Sequence, residues 1–272
     1  MKKRTIGYAQ FGPAFGDRTT NHETIRRMAG NGASADLLVF PELCVSGYDF
    51  RDRDELASLA EPFGSGPTSL LARELSEAHD TTIVIGYPES AGELLYNSCV
   101  LAAPGGTLAN YRKLHLFSRE SRIFVPGDAP PPVIETPAGR VGLMICLDWL
   151  FPEAARVLAL NGAQVIAHPS NLVLPHCQKA MVTRSIENGV FSITANRIGT
   201  EARTDRSLTF TGASQVLGTR GELLVNAPTD AEHLGLAEVD VELADDKMIT
   251  EENHLLEDRW PDLYRRLSGQ HP

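Results

Sequence analysis

The sequence predicts a layered α/β fold whose β-sheets are partly antiparallel. Apolar runs typical of buried strands alternate with amphipathic runs typical of helices along all 272 residues. Two pairs of strand-like runs are joined by short glycine-containing turns, at residues 104–106 and 220–221, which is typical of β-hairpins. Strand–helix–strand units beside hairpins favour mixed sheets over a purely parallel, doubly wound sheet.

The first part of the chain contributes five predicted strands and two predicted helices. Pro41 stops the second strand, because proline cannot donate a hydrogen bond to a sheet. In the second helix, the spacing of Leu70, Leu71, Leu75 and Ala78 predicts a buried face. The predicted strands are residues 5–9, 35–40, 82–86, 96–103 and 107–112, and the predicted helices are residues 21–31 and 68–79.

The remaining part of the chain continues the alternation of strands and helices. Pro152 stands near the start of the third helix, a position that proline favours. No linker, repeat or low-complexity segment divides the chain, so we predict a single domain over residues 1–272. The predicted strands are residues 140–146, 164–167, 190–195, 212–217, 222–225 and 234–241, and the predicted helices are residues 152–160 and 177–188.

The composition argues against some classes of binding partner and indicates the cellular compartment of the protein. The formal net charge of -10 argues against nucleic acid or an anionic membrane as a partner, because both reward clusters of Lys and Arg. No apolar run approaches the roughly 18 residues of a membrane span, and the amino terminus lacks the apolar core of a signal peptide. The four cysteines are far apart and form no C-x-x-C pair. We therefore expect free thiols, no metal site and a cytoplasmic location.

Three reactive side chains each follow an apolar strand. Glu42 follows the strand that ends at Phe40, Lys113 follows residues 107–112, and Cys146 ends the run VGLMIC. In a layered α/β protein, side chains at strand ends can meet at one rim although they are far apart in sequence. A carboxylate, an ammonium and a thiol at one rim suit covalent catalysis.

The thiol needs help from the other two groups. A free cysteine is only a few per cent thiolate at neutral pH, so Glu42 is predicted to take the proton as general base. Lys113 and the backbone N–H of Leu147 are predicted to stabilise the anionic intermediate, and one such donor is typically worth ~2.7–4 kcal/mol of barrier. Taken alone, a cysteine after an apolar run is more often a small core residue, so the prediction depends on the three residues together.

Three sequence blocks resemble the signature blocks of the nitrilase superfamily, the carbon–nitrogen hydrolases. The blocks are PELCVSGY at residues 41–48, YRKLHLF at 111–117 and GLMICLDWLFPE at 142–153. The resemblance covers nearly the whole chain. Within the superfamily the chain is most similar to the compact archaeal and bacterial aliphatic nitrilases, through DWLFPEAAR, AHPSNLVLP and ENGVFSITANRIG.

The resemblance implies a four-layer α-β-β-α sandwich without a cofactor. It implies Glu42 as base, Lys113 as electrostatic stabiliser and Cys146 as nucleophile. It also implies a second glutamate near the lysine, Glu120, whose alternative role is a plain ion pair. One position departs from the family pattern, because Leu147 stands where an aromatic residue is frequent. This change affects the shape of the pocket and leaves the backbone donor in place.

Other residues near the motifs are candidates for the substrate pocket or for packing. We predict that Tyr48, His168 and Asn171 line the pocket. His115 is interpreted as a packing or hydrogen-bonding residue, because Glu42 already supplies the base.

The function implied is hydrolysis of a small aliphatic nitrile to a carboxylic acid and ammonia through a cysteine thioester. Two alternatives stay open: an amidase or N-carbamoyl amidohydrolase acting on small amides, and an inactive member of the family that only binds ligands. Acyl transfer to another acceptor is disfavoured, because such members usually carry a membrane segment or a second domain. The family also implies a homodimer or larger assembly built through helices 152–160 and 177–188, although a partner within the same chain would suit these helices equally well. The tail 260–267 is either a further contact with a neighbouring subunit or a terminal helix of no special role.

Overall fold

The computed structural model describes residues 3–268, which form fifteen strands and six α-helices. The strands are β1 Lys3–Gln10, β2 Leu37–Val39, β3 Glu61–Pro62, β4 Thr82–Ala91, β5 Leu94–Ala103, β6 Thr107–Arg112, β7 Val133–Thr136, β8 Gly139–Leu143, β9 Val165–Ser170, β10 Phe191–Asn196, β11 Thr200–Glu201, β12 Leu208–Thr209, β13 Gln215–Leu217, β14 Leu223–Asn226 and β15 His233–Asp240. The helices are α1 Arg18–Asn31, α2 Arg53–Leu59, α3 Pro67–His79, α4 Glu120–Ile123, α5 Pro152–Leu160 and α6 Cys177–Asn188, with 3₁₀ segments at Cys146–Leu150, Val241–Ala244 and Pro261–Ser268.

Two mixed sheets form the centre of the protein. The first has the order β15-β1-β2-β4-β5-β6, with β3 beside β4, and the second has the order β14-β13-β10-β9-β8-β7. Parallel pairs lie in the middle of both sheets: β1, β2 and β4 in the first, and β8, β9 and β10 in the second. Apart from the short parallel pair β3–β4, the flanking pairs are antiparallel, among them the hairpins β4–β5–β6 and β13–β14. This arrangement confirms the mixed sheets predicted from the sequence.

Strand periodicity assigns alternate side chains of the first sheet to two different cores. Because successive side chains of a strand point to opposite faces, Leu37 and Val39 of β2 join the core between the sheets, whereas Leu38 joins the core beneath the helices. Ile25 of α1 and Leu71 of α3 pack in this second core.

The second sheet is covered on its outer face by α5 and α6. Leu158 of α5 lies over Gly142 of β8, where an added Cβ would be 3.0 Å from its Cδ2, and the hydroxyls of Ser185 of α6 and Ser192 of β10 are 2.8 Å apart. The central strands of both sheets are therefore buried on both faces. The architecture is the four-layer α-β-β-α sandwich.

Three details of the sequence prediction were wrong. The strand predicted at 140–146 ends at Leu143, and Cys146 instead begins a 3₁₀ segment. In α3 the buried face contains Leu71, Ala72 and Leu75, whereas Leu70 is 54% exposed and Ala78 is exposed as well. The short helices α2 and α4 were not predicted, because seven and four residues are too few to show helical periodicity.

Two observations concern the predicted contacts with another subunit and with a membrane. The tail forms the 3₁₀ segment Pro261–Ser268, in which Leu263 and Leu267 are exposed. No helix within residues 3–268 is long and apolar enough to cross a bilayer.

Candidate active site

Glu42 lies in a loop that follows β2 and is held against β4. The amide of Cys44 donates to the carbonyl of Gly86 at 3.1 Å, and the amide of Gly86 donates to the carbonyl of Pro41 at 3.2 Å. Leu43, the next residue, has a φ of 46°, which is unusual for a leucine and turns the chain sharply. The glutamate is fully buried at this turn.

Lys113 joins two buried carboxylates. Its Nζ donates to Glu42 Oε1 at 2.7 Å and to the two carboxylate oxygens of Glu120 at 2.9 and 2.8 Å. All three ammonium hydrogens therefore have acceptors. Burial lowers the pKa of Lys113, but the charges of Glu120 and Glu42 outweigh burial and raise it well above its ordinary value. The lysine is a fixed cation at any working pH.

Glu120 opens α4 and is held by more than the lysine. Its Oε1 accepts a hydrogen bond from the hydroxyl of Tyr48 at 2.6 Å, and its Oε2 accepts one from the amide of Phe117 at 3.0 Å. Tyr48 is 5% exposed, and its ring meets that of Phe210 edge to face at 5.9 Å. Because these bonds hold both oxygens of Glu120, the carboxylate in turn fixes the position of the Lys113 ammonium.

One oxygen of Glu42 is left free. Oε1 accepts from Lys113 and from Asn97 Nδ2 at 2.7 Å, whereas the buried Oε2 has no hydrogen-bond partner within residues 3–268. Burial raises the pKa of Glu42, and Lys113 opposes the rise. A buried carboxylate oxygen without a partner is costly to a fold, so its presence here indicates a chemical role.

Cys146 stands at a strained turn between β8 and the 3₁₀ segment. Its φ is 42°, in the left-handed region that non-glycine residues rarely adopt. Asp148 holds the turn: its Oδ2 accepts from the amide of Ile145 at 2.9 Å and from the hydroxyl of Tyr111 at 2.8 Å. Its Oδ1 lies 2.7 Å from Nδ1 of His115, whose ring stacks on Phe151.

The thiol of Cys146 is protonated at rest. The residue is 6% exposed, and burial raises the pKa of its thiol well above the ordinary value. Glu42 raises that pKa further, whereas Lys113 and the nearby backbone of Asn171 lower it. A reaction at this sulfur would therefore need a nearby base to take its proton.

The peptide bond between Cys146 and Leu147 has two polar groups, the carbonyl of Cys146 and the N–H of Leu147, and His168 contacts the carbonyl. His168 is fully buried, with Nε2 at 2.9 Å from the carbonyl oxygen of Cys146 and Nδ1 at 3.2 Å from Thr194 Oγ1. Leu147 is the second residue of the 3₁₀ segment, so its N–H has no acceptor inside that helix, and no acceptor outside the helix is found within residues 3–268. It is thus free to donate to a bound intermediate.

Asn171 brings a second polar group without a partner to the thiol. The residue is 3% exposed, and neither the oxygen nor the nitrogen of its side-chain amide has a hydrogen-bond partner among the described residues. Its own backbone contacts the Cys146 sulfur, so this amide lies close to the reacting centre.

The structure brings Glu42, Lys113 and Glu120 into direct contact, and it places Cys146 within their electrostatic reach. Sequence reasoning missed Asn97, which holds Glu42, and the anchoring role of Asp148. Asp148 stands two residues after the nucleophile, and that spacing was its only signal. Within residues 3–268, no group of three or more His, Cys, Asp or Glu is arranged to hold a metal ion.

Gly86 is required by its close approach to Glu42. A Cβ atom at this position would lie 2.5 Å from the Glu42 Cα and 2.5 Å from the carbonyl oxygen of Pro41. We expect Gly86→Ala to displace the glutamate, costing about 1–3 kcal/mol of stability and about 10²-fold in rate, since a shift near 1 Å has that effect. Chemical denaturation and initial-rate measurements test both numbers.

Gly30→Ala is the matched control. Gly30 is an exposed residue of α1 with no heavy atom within 4 Å of its would-be Cβ. The substitution should keep full activity and raise stability by up to about 1 kcal/mol, because alanine is the better helix former. Wild-type activity in Gly86→Ala would contradict the contact argument.

The comparisons with known proteins agree with this geometry. The family model for carbon-nitrogen hydrolases matches residues 5–247. The chain therefore belongs to the carbon–nitrogen hydrolase family, whose members in the nitrilase superfamily share the sandwich fold, and it is a hydrolase of non-peptide carbon–nitrogen bonds.

Two curated relatives differ in the bond they are named for. A nitrilase of Pyrococcus abyssi is 38% identical over 263 residues, which cover 96% of this chain and 99% of the relative. An (R)-stereoselective amidase of a Pseudomonas species is 35% identical over 219 residues, which cover 79% of this chain and 77% of the relative.

Two solved structures share the fold over nearly the whole chain. A carbon-nitrogen hydrolase of Helicobacter pylori G27 has a TM-score of 0.90 at 26% identity, with both chains covered completely. An amidase of Nesterenkonia sp. AN1, solved as a glutamate-to-glutamine variant with the acetamide moiety of fluoroacetamide on its active-site cysteine, has a TM-score of 0.79 at 25% identity. The match covers 97% of this chain and 96% of that one.

Proposed function

We propose that this hydrolase converts a small aliphatic nitrile to a carboxylic acid and ammonia through a thioester on Cys146. The observation that carries the proposal is the free Oε2 of Glu42, a buried base beside a protonated thiol. Lys113 and Glu120 hold this base in one orientation. No group in this arrangement calls for a cofactor.

The first step forms the carbon–sulfur bond. Glu42 takes the thiol proton through Oε2 while the sulfur of Cys146 attacks the nitrile carbon. The nitrile nitrogen then receives that proton, which gives a thioimidate. Lys113 and the N–H of Leu147 stabilise the negative charge that develops on the substrate during the attack.

The next steps consume two waters. The first water adds to the thioimidate carbon, ammonia leaves with a proton returned by Glu42, and a thioester remains on the sulfur. The second water, deprotonated by Glu42, cleaves the thioester to the carboxylic acid and restores the thiol of Cys146. The same base therefore acts in both halves of the reaction.

The alternative substrate is an amide or an N-carbamoyl compound. Attack on an amide carbon would release ammonia at once and reach the same thioester, so the same residues serve both reactions. The 38% identical nitrilase supports the nitrile, and the 35% identical amidase supports the amide. We favour the nitrile on the likeness to the compact nitrilases.

Substrate selection is proposed to involve Asn171. Its unpaired side-chain amide has both a donor and an acceptor beside the thiol, so it can bond the nitrogen or oxygen of the group under attack. Tyr48 contributes through Glu120, to which its hydroxyl is bound.

A substrate panel with ammonia detection tests the proposal. Small aliphatic nitriles, the matching amides and an N-carbamoyl amine are incubated with the wild-type enzyme and with Cys146→Ala as the blank. We expect release of ammonia from nitriles and a mass increase equal to the acyl group on Cys146 in quenched samples. Turnover of amides alone would assign the amidase alternative. No turnover and no acyl adduct with any compound would favour an inactive, ligand-binding member.

We also propose a homodimer or larger assembly. Leu160 at the end of α5 and Ile186 in α6 are large apolar side chains that are 46% and 49% exposed in the single chain. A face of this kind favours a protein contact. Sedimentation velocity showing only monomer would overturn this part of the proposal.

A further inference from the structure

His168 lies outside the cluster formed by Glu42, Lys113 and Glu120, and its side chain contacts the backbone of Cys146. His168, near the middle of β9, is fully buried, and its Nε2 lies 2.9 Å from the carbonyl oxygen of Cys146. The mechanism proposed above assigns no role to this side chain.

The contacts of the ring decide which of its nitrogens carries the proton, and besides the two contacts below, Ser170 Oγ lies 3.2 Å from Nε2 and 3.5 Å from Nδ1. Burial lowers the pKa of His168 to about 4, and the charge of Lys113 lowers it as well, so the ring is neutral at working pH and carries one N–H. A carbonyl oxygen can only accept, so that N–H is on Nε2. Nδ1 then accepts from the hydroxyl of Thr194 at 3.2 Å. The threonine hydroxyl can donate to Nδ1, so its position agrees with the tautomer that the carbonyl requires.

The carbonyl that His168 holds belongs to the same peptide unit as the N–H of Leu147. This peptide bond is trans and planar, so its C=O and its N–H point in opposite directions. Whatever fixes the direction of the Cys146 carbonyl therefore fixes the direction of the Leu147 N–H. Cys146 has a φ of 42°, and such a conformation persists only where surrounding contacts impose it.

We infer that His168 is a positioning residue that aims the Leu147 N–H at the anion formed when Cys146 attacks the substrate. The inference rests on the proposed covalent mechanism at Cys146. His168 is not itself a base or a ligand of the substrate: its Nδ1 is hydrogen-bonded to Thr194, and its side chain has no exposed surface.

The distinguishing experiment compares two reactions of the same thiol. Hydrolysis passes through an intermediate whose negative charge needs the Leu147 donor. Alkylation of Cys146 by iodoacetamide is a direct displacement of iodide at a saturated carbon, and it develops no such charge on a carbonyl or nitrile. Both reactions need the thiol to be deprotonated and accessible.

In His168→Leu we expect kcat to fall by about 10–100-fold, because one donor of this kind is worth about 10²–10³-fold and is misaimed rather than removed. KM and the rate of alkylation should stay within about three-fold of wild type, since neither depends on that donor. His168→Gln, which can donate from its side-chain amide, should recover most of the lost kcat.

His22→Leu is the matched control. His22 is also a buried histidine hydrogen-bonded to a threonine, and burial lowers its pKa to about 4, but it lies on α1. Its replacement should leave kcat within about two-fold of wild type, whatever it costs in stability. If His168→Leu does not fold, Thr194→Val replaces it, with a smaller loss of kcat expected and unchanged alkylation.

Two results would overturn the inference. One is a kcat within about two-fold of wild type in the folded His168→Leu or Thr194→Val variant. The other is a parallel fall of kcat and alkylation, which would mean that the thiol itself is displaced. Full activity in Cys146→Ala would instead reject the proposed function, independently of any His168 result.

Discussion

Replacing Cys146 with alanine is expected to abolish hydrolysis, with kcat reduced by at least about 10⁴-fold, as for other enzymes that lose a covalent nucleophile. Without sulfur no thioester can form, and Glu42 and Lys113 have no nucleophile to act on. The fold should survive, because Cys146 ends no packed strand and alanine keeps its Cβ. We expect a change in unfolding free energy within about 1 kcal/mol. Ammonia release and thermal unfolding monitored by circular dichroism measure the two effects.

Cys177→Ala is the control for the loss of a buried thiol. Cys177 begins α6, is also fully buried and belongs to the core beside the second sheet. Its replacement should cost stability by about 1 kcal/mol through lost packing, yet keep activity. More than about 1% of wild-type activity in Cys146→Ala, with a normal Cys177→Ala, would reject the thiol mechanism.

Replacing Lys113 with methionine is expected to lose both activity and stability. The substitution leaves Glu42 and Glu120, both buried, without the ammonium that lies 2.7 and 2.8 Å from them. Removing one partner of a buried ion pair typically costs 3–5 kcal/mol, and we expect about that much. One carboxylate then takes up a proton to relieve the repulsion, and if Glu42 does so it no longer acts as a base.

The loss of stability should depend on pH in a defined direction. A carboxyl group whose pKa is raised by folding binds its proton more tightly in the folded state, so it stabilises the fold at low pH and loses that effect as the pH rises. Without Lys113 the pKa of Glu42 rises further above its unfolded value. The stability deficit of Lys113→Met should therefore be largest in the alkaline range and shrink towards acid pH, as measured by urea denaturation.

Lys3→Met provides the contrast. Lys3 pairs with Glu238 on the surface, where the two side chains are 68% and 59% exposed. Solvent screens exposed pairs and leaves them little effect on stability, so this variant should stay close to wild type at every pH. A Lys113→Met variant as stable as Lys3→Met would contradict the coupling of the buried charges.

The sequence predicted which side chains form the site, but it did not predict the backbone conformation and the tertiary contacts that position them. Glu42, Lys113 and Glu120 stand in recognisable blocks, and the structure brings them together. The backbone at Cys146 was predicted as strand because the apolar run continues past Leu143, and hydrophobicity carries no information about a φ of 42°. The setting depends on tertiary contacts that one strand's own sequence does not contain.

Register explains two of the residues that were missed. Gly86 meets the Glu42 loop because β2 and β4 are parallel with Val39 opposite Val84. Asn97 reaches Glu42 only from the neighbouring antiparallel strand β5. Pairing between strands is set by the whole sheet, so neither contact shows in a local pattern.

Asp148 has a consequence for how the enzyme responds to strain. Tyr111, which donates to it, belongs to β6 of the first sheet, while Asp148 itself follows β8 of the second sheet. The carboxylate of Asp148 therefore links the two sheets next to Cys146. The distance between Cys146, which follows the second sheet, and Glu42, which follows the first, thus depends on how the two sheets are held together. We expect a distant substitution that shifts one sheet relative to the other to change kcat more than it changes the binding of substrate.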